Sequence, residues 1–147
     1  MINSFLSKDC TKAAVLFHSK KRILEYISQV AQKKLPDLSE QEILDSLLKR
    51  EKLGSTGIGK GIAIPHGRLS NIDETIAILV VNAEPIAFDA IDDRPVDIFI
   101  ALLVPDAQCQ THLKTLATIA DKLKDKQFCK KLRHAQSDQN LYDIMTL

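Results

Sequence analysis

Two stretches of this chain are apolar almost without interruption, residues 75–81 and 96–104. A strand with one wet face alternates apolar with polar residues. A strand covered on both faces does not, so both runs predict buried central strands. A weaker run at 13–17 predicts a first strand, and Ile62-Ala63-Ile64 a short one. Elsewhere the period is helical. Ile23, Leu24, Ile27, Val30 and Ala31 share one face of a helix that Ser19 can cap. Ser39-Glu40-Gln41-Glu42 is a capping box opening a second helix. It carries Ile43, Leu44, Leu47 and Leu48 to about Lys52, with Gly54 as its stop. Leu113, Leu116, Ala117, Ile119, Ala120 and Leu123 stripe a third helix. Phe128 and Leu132 mark a short piece over 127–134. Ser137 and Asp138 can cap a last helix with Leu141, Ile144 and Met145. Glu84-Pro85 is expected to end the strand at 75–81, and 88–95 to be a turn-rich connection. Helices around very apolar strands predict one α/β domain over 1–147, a layered sandwich of mixed sheet with helices on both faces.

Composition narrows this picture more than it extends it. A chain of 147 residues, 45% hydrophobic and 27% charged, is large enough for one core and ordinary for a globular domain. A net charge of +1 gives no reason to expect nucleic acid as partner. No apolar run has the length of a membrane span, and the first residues lack a signal peptide's pattern, so the cytoplasm is the expected compartment. Cys10, Cys109 and Cys129 are too widely spaced for a redox or zinc pair and read as packing thiols. Lys20-Lys21-Arg22 stands where the helix dipole disfavours cations. It reads as a solvated first turn or as a surface for an acidic partner.

The candidate chemistry is concentrated. All five glycines lie between Gly54 and Gly67, ahead of and around Pro65-His66-Gly67. Glycine lets backbone turn sharply or approach a ligand closely. The segment matches G-x-x-x-x-G-K, but Gly61 follows Lys60 where a nucleotide loop needs Ser or Thr, and the order of elements is inverted. The spacing of Gly57, Gly59 and Gly61 also fails the dinucleotide fingerprint. What remains is a structural hairpin, or a histidine at a strand end beside an anion-receiving loop. His112 stands in the first turn of the third helix and Arg50 in the last turn of the second, both able to serve such a site. His18 and His134 have no such company.

The stretch from Arg50 through Gly54-Ser55-Thr56-Gly57 and Ile64-Pro65-His66-Gly67-Arg68 resembles the active-site segment of fructose/mannitol-type enzyme IIA domains of the bacterial phosphotransferase system. Phe88-Asp89-Ala90-Ile91, Ala101-Leu102-Leu103-Val104-Pro105 and His112-Leu113-Lys114-Thr115-Leu116 follow in the same family's order. Ser19-Lys20-Lys21-Arg22-Ile23 is similar to its nitrogen-regulatory branch. Asp93 departs from the glycine expected in that turn. The resemblance implies that His66 is the phosphorylated nucleophile, His112 a second active-site histidine and Arg50 a phosphate-stabilising cation. Gly54, Ser55, Thr56, Gly57, Gly59, Gly61 and Gly67 are then expected to form the phosphate-binding loop.

It further implies a phosphoryl carrier without metal or other cofactor. The phosphate would come from an HPr- or NPr-like carrier protein, and the regulatory targets would be kinases or transporters, with no nucleic-acid partner and no membrane insertion. Two other readings stay open: a sugar-uptake enzyme IIA that hands phosphate to a IIB domain, and a module that holds an anion without covalent chemistry.

Overall fold

The computed structural model describes residues 2–107 and 109–147, with side chains except at 109–111. After a short 3-10 turn at Ile2–Ser4 the elements are β1 (Leu6–Val15), α1 (Lys20–Lys34), α2 (Glu40–Glu51), β2 (Gly57–Gly59), β3 (Ile62–Ala63), β4 (His66–Leu69), β5 (Ile76–Ile86) and β6 (Val96–Pro105). α3 (Cys109–Lys122), α4 (Lys126–Arg133) and α5 (Asp138–Thr146) complete the chain. The strands form one mixed sheet in the order β1-β5-β6-β3-β2, and β4 also pairs with β6. β5 and β6 run antiparallel at its centre; β1 pairs parallel to β5, β3 and β4 pair parallel to β6, and β2 pairs antiparallel to β3.

The two apolar runs are the middle of the sandwich. Ile78, Val80, Phe99, Ala101 and Leu103 face α1 and α2, where Ile23, Ile27, Ile43 and Leu47 are fully buried. Leu79, Val81, Ile98, Ile100 and Leu102 face the other way, against Ile119, Leu132, Leu141 and Met145 of α3, α4 and α5. Each such Ile, Leu, Val, Phe or Met side chain contributes about 1.5–3 kcal/mol on leaving water. Burial on both faces is the reason neither run alternates.

The N-caps stand where the sequence puts them, whereas the C-cap of α2 falls before the expected Gly54. The Ser19 hydroxyl accepts from the Arg22 amide, Ser39 and Glu42 close a reciprocal box, and Ser137 accepts from the Asn140 amide. α2 stops at Glu51 with Lys52 as its cap, and Gly54 follows at φ +145. Cys10 and Cys129 are buried free thiols, whereas the expectation for Cys109 lies outside the described side chains.

Two expectations change. β1 starts at Leu6, not at 13, because its polar Ser7-Lys8-Asp9 portion forms a sheet edge where hydrophobicity is not required. That edge is closed off: the Ala13 amide donates to the Asp138 carboxylate at 2.8 Å, Lys34 pairs with Asp9 at 3.1 Å, and the register with β5 shifts twice. β5 continues through Glu84-Pro85 to Ile86. The ladder with β6 is irregular between Val81 and Ile86, so the proline's missing N–H is tolerated there. Asp93 occupies its turn at φ +57, a left-handed position that glycine adopts freely and aspartate tolerates.

Candidate functional site

β4 carries His66 alongside Leu102 of β6, and the Pro65 carbonyl accepts from the Leu102 amide at 2.9 Å. Gly67 decides what lies above it. A Cβ there would stand 2.5 Å from Ser46 Oγ, 2.9 Å from Ser46 Cβ and 3.0 Å from the Ser46 backbone. Only the absence of a side chain lets α2 lie against β4 at this distance. Arg50, one helical turn beyond Ser46, is thereby delivered to the imidazole.

The two ring nitrogens of His66 are committed differently. Nδ1 is 2.9 Å from the Ile64 carbonyl, which can only accept, so Nδ1 carries the proton. Nε2 then holds the free lone pair and accepts from Arg50 Nε at 3.1 Å. Arg50 Nη1 donates to the Gly54 carbonyl at 2.8 Å, which fixes the guanidinium between the helix end and the ring. Burial depresses the His66 pKa most. The Ile64 carbonyl opposes this, and the Arg50 charge adds to the depression.

His112, on the first turn of α3, is 6% exposed, and its ring centroid lies 5.1 Å from that of His66 at 49°. Its pKa is also lowered, by burial first and then by His66 and Arg68. Its Nδ1 is buried without a hydrogen-bond partner among the described residues. The structure thus assembles His66, His112 and Arg50 from β4, α3 and α2, while His18 and His134 are exposed elsewhere.

The glycine segment is arranged otherwise than a single amide-lined cradle. The Thr56 amide and hydroxyl both donate to the Glu51 carboxylate, and the Gly57 amide donates to Ser55 Oγ. Those N–H groups are already spent on the fold. Ser55 in turn donates to the Phe88 carbonyl at 2.6 Å, and a Cβ on Gly57 would stand 2.7 Å from Ala90 Cβ. Gly59 and Gly61 form the β2–β3 turn around Lys60, all three at positive φ and away from His66. Of the seven residues expected in the loop, Gly54 and Gly67 act directly on the Arg50–His66 arrangement.

Two residues of this arrangement escaped the sequence reading. Glu51 is buried to 5% of its side chain and collects Thr56 and the Lys20 ammonium, the latter at 3.4 Å. Lys20 also lies 4.5 Å from the Phe88 ring centroid. That explains a cation in an unfavourable first turn: it is the counter-charge of Glu51. The signal available was a charge of the wrong sign for its helix position.

Among the described residues, no helix is long and apolar enough to cross a membrane. A family model for the EIIA 2 component of the phosphoenolpyruvate-dependent sugar phosphotransferase system matches residues 4–146. The chain is 51% identical over 146 residues to a nitrogen regulatory protein of Klebsiella oxytoca, covering 99% of this chain and 90% of that one. The crystal structure of nitrogen regulatory protein IIA-Ntr from Neisseria meningitidis superposes with a TM-score of 0.92 at 33% identity, covering 98% of both chains. IIA mannitol from Escherichia coli shares the fold, with a TM-score of 0.76 at 19% identity over 92% of this chain and 96% of that one.

Proposed function

This chain belongs to the EIIA 2 family of the phosphoenolpyruvate-dependent sugar phosphotransferase system, and from that premise we propose that it is a regulatory phosphoryl carrier that loads phosphate on His66 Nε2. The observation that carries this reading is the tautomer: Nδ1 is tied to the Ile64 carbonyl, and Nε2 presents its lone pair toward Arg50. Both histidines have lowered pKa values, so neutral imidazole, the nucleophilic form, prevails near pH 7.

The step balances without an added base. The Nε2 lone pair attacks the phosphorus of a phosphohistidine on an HPr- or NPr-like carrier. The donor's P–N bond breaks and its electron pair returns to the donor ring. The His66 ring gains positive character, which the Ile64 carbonyl stabilises through Nδ1–H. Arg50 turns its donors from Nε2 to the arriving phosphoryl oxygens, the electrostatic help that phosphoryl transfer needs most. The unpaired Nδ1 of His112 fits a role in the loaded state, because a buried polar atom without a partner costs about 1–3 kcal/mol.

The loaded ring carries about two negative charges, so a partner docking over it must read them. Leu53 and Leu113, each next in the chain to site residues, are 82% and 65% exposed, which suits a protein partner. The resemblance to nitrogen regulatory proteins favours regulatory targets over a sugar-passing IIB domain.

The test is incubation with phosphoenolpyruvate, the upstream kinase and phospho-HPr or its nitrogen-branch counterpart. An acid-labile label on the wild-type chain and none on His66→Ala is expected. Undiminished label on His66→Ala would overturn the assignment. Onward transfer to a fructose-type IIB domain and sugar would move the chain to the uptake role.

A further inference from the structure

α4 places Lys126, Lys130 and Arg133 along one side, at positions i, i+4 and i+7. Like charges at that spacing repel, and Lys126 also meets an unfavourable helix dipole. Nothing in a net charge of +1 calls for such crowding. The same surface receives Lys60 from the β2–β3 turn, Arg94 from the β5–β6 connection and Lys124 from the link before α4. Together these six line a cavity of about 350 Å³, floored by Leu123 and the buried Cys129.

The rim is held in place. Arg133 Nε is clamped by both oxygens of Asp97 at 3.0 and 2.9 Å, and its Nη2 donates to the Lys60 carbonyl at 2.9 Å. One carboxylate joins the other two cation-bearing loops: Asp92 accepts from the Lys60 amide at 2.9 Å and from the Arg94 amide at 3.1 Å. Lys60 itself sits at φ +59, a strained conformation for a residue with a Cβ. A Cβ on Gly61 would stand 2.6 Å from Arg133 Nη2, so glycine is what admits the guanidinium here.

With the two acids occupied in this way, Lys60, Arg94, Lys126 and Lys130 have no ion-pair partner among the described residues. Cations gathered around a concave, partly apolar surface focus a positive potential into it. The cavity is separate from His66. Ile62, beside Lys60-Gly61, lies opposite Ile98, whereas His66 lies opposite Leu102, four residues or about 13 Å along the same strand.

We propose that this cavity binds an oligophosphate, a small molecule with two or more linked phosphates. One phosphate is too small to engage four cations without an ion-pair partner brought from three elements, and the volume is that of a small-molecule site. Among the described residues no aromatic ring lines the cavity, so the phosphates carry most of the recognition. Such a ligand would give the chain an input distinct from its histidine.

The experiment is calorimetric titration of the full chain with inorganic triphosphate, ATP and ADP without divalent metal, orthophosphate and sulfate, all at matched ionic strength. Triphosphate is expected to bind at least tenfold tighter than orthophosphate or sulfate. Lys126→Gln/Lys130→Gln should weaken it at least tenfold with an unchanged thermal midpoint, and His66→Ala should bind like wild type. Equal affinities for ATP and triphosphate would assign recognition to the phosphates alone, and tighter ATP would add the organic body as a contributor; both support the site. Equal binding of triphosphate and sulfate, full affinity in the double variant, or loss in His66→Ala would overturn the proposal. So would a single-stranded oligonucleotide that binds as tightly as triphosphate, which would make this a nucleic-acid surface.

Discussion

The His66 end and the Lys60 end of one short segment solve opposite problems with similar side chains. At His66 the groups are shielded: two imidazoles with lowered pKa values and the Arg50 guanidinium tied to a backbone carbonyl. At Lys60 the groups are cationic and mostly exposed around an open cavity. A nucleophile, the role proposed for His66, must keep a lone pair, so its surroundings hold protons off and limit positive charge. A reversible anion site needs no lone pair, so charge can be multiplied until mutual repulsion limits it. Each end also has its own glycine. Gly67 lets α2 approach the strand, and Gly61 lets Arg133 approach the turn.

The sharpest way to test this division is Arg50→Ala. Loss of the cation hydrogen-bonded to the proposed nucleophile should slow phosphoryl acceptance about 100–1,000-fold, in the range seen when a preorganised transition-state donor is removed. The measurement is single-turnover transfer from phospho-HPr. A drop of only a few fold would mean that Arg50 merely anchors Gly54. Triphosphate binding should not change.

The paired glycine variants come next. Gly67→Ala drives a methyl into the backbone and Cβ of Ser46, which no rotamer change relieves. A stability loss of about 1–3 kcal/mol and slower phosphoryl acceptance are expected, read by urea unfolding and the same transfer assay. Gly61→Ala meets the movable end of Arg133 at φ +81. About 1–2 kcal/mol is expected from the left-handed backbone, with weaker triphosphate binding and normal phosphoryl acceptance. If both variants impair both functions, the two ends are one coupled unit.

The smallest expected effect is in pH. His66 and His112 titrate below their ordinary value of 6.5 in the folded chain. As pH falls through 6.5 the unfolded chain takes up protons first. The stability these rings contribute is therefore complete above 6.5 and is lost as pH falls through their lowered folded values. Chemical denaturation at pH 7.5 and 5.5 should show this decline, and His66→Ala/His112→Ala should flatten it. An unchanged slope in the double variant would place the titration elsewhere.

Much of this molecule was legible because its signals are local. The apolar runs of β5 and β6 and the hydroxyls of Ser19, Ser39 and Ser137 each act within a few residues of themselves. His66, His112 and Arg50 were visible as residues, and the structure brings them together. The glycine segment misled because the same residue type serves turns, close packing and ligand approach, and here the first two claim most of it. Lys20 and Glu51 meet only through the packing of α1 beside α2, and the cations of the cavity come from three distant stretches. A lysine destined for a cavity and one destined for water look alike along a chain.

The closed-off margin of the sheet has a consequence for how this protein meets others. At one border β1 is kinked out of register, its Ala13 amide already taken by Asp138; at the opposite border β2 is only three residues long. Neither offers a flat ribbon of free amides and carbonyls for a foreign strand to copy. Recognition through side chains is favoured instead, where adding or removing a phosphate can rewrite the terms.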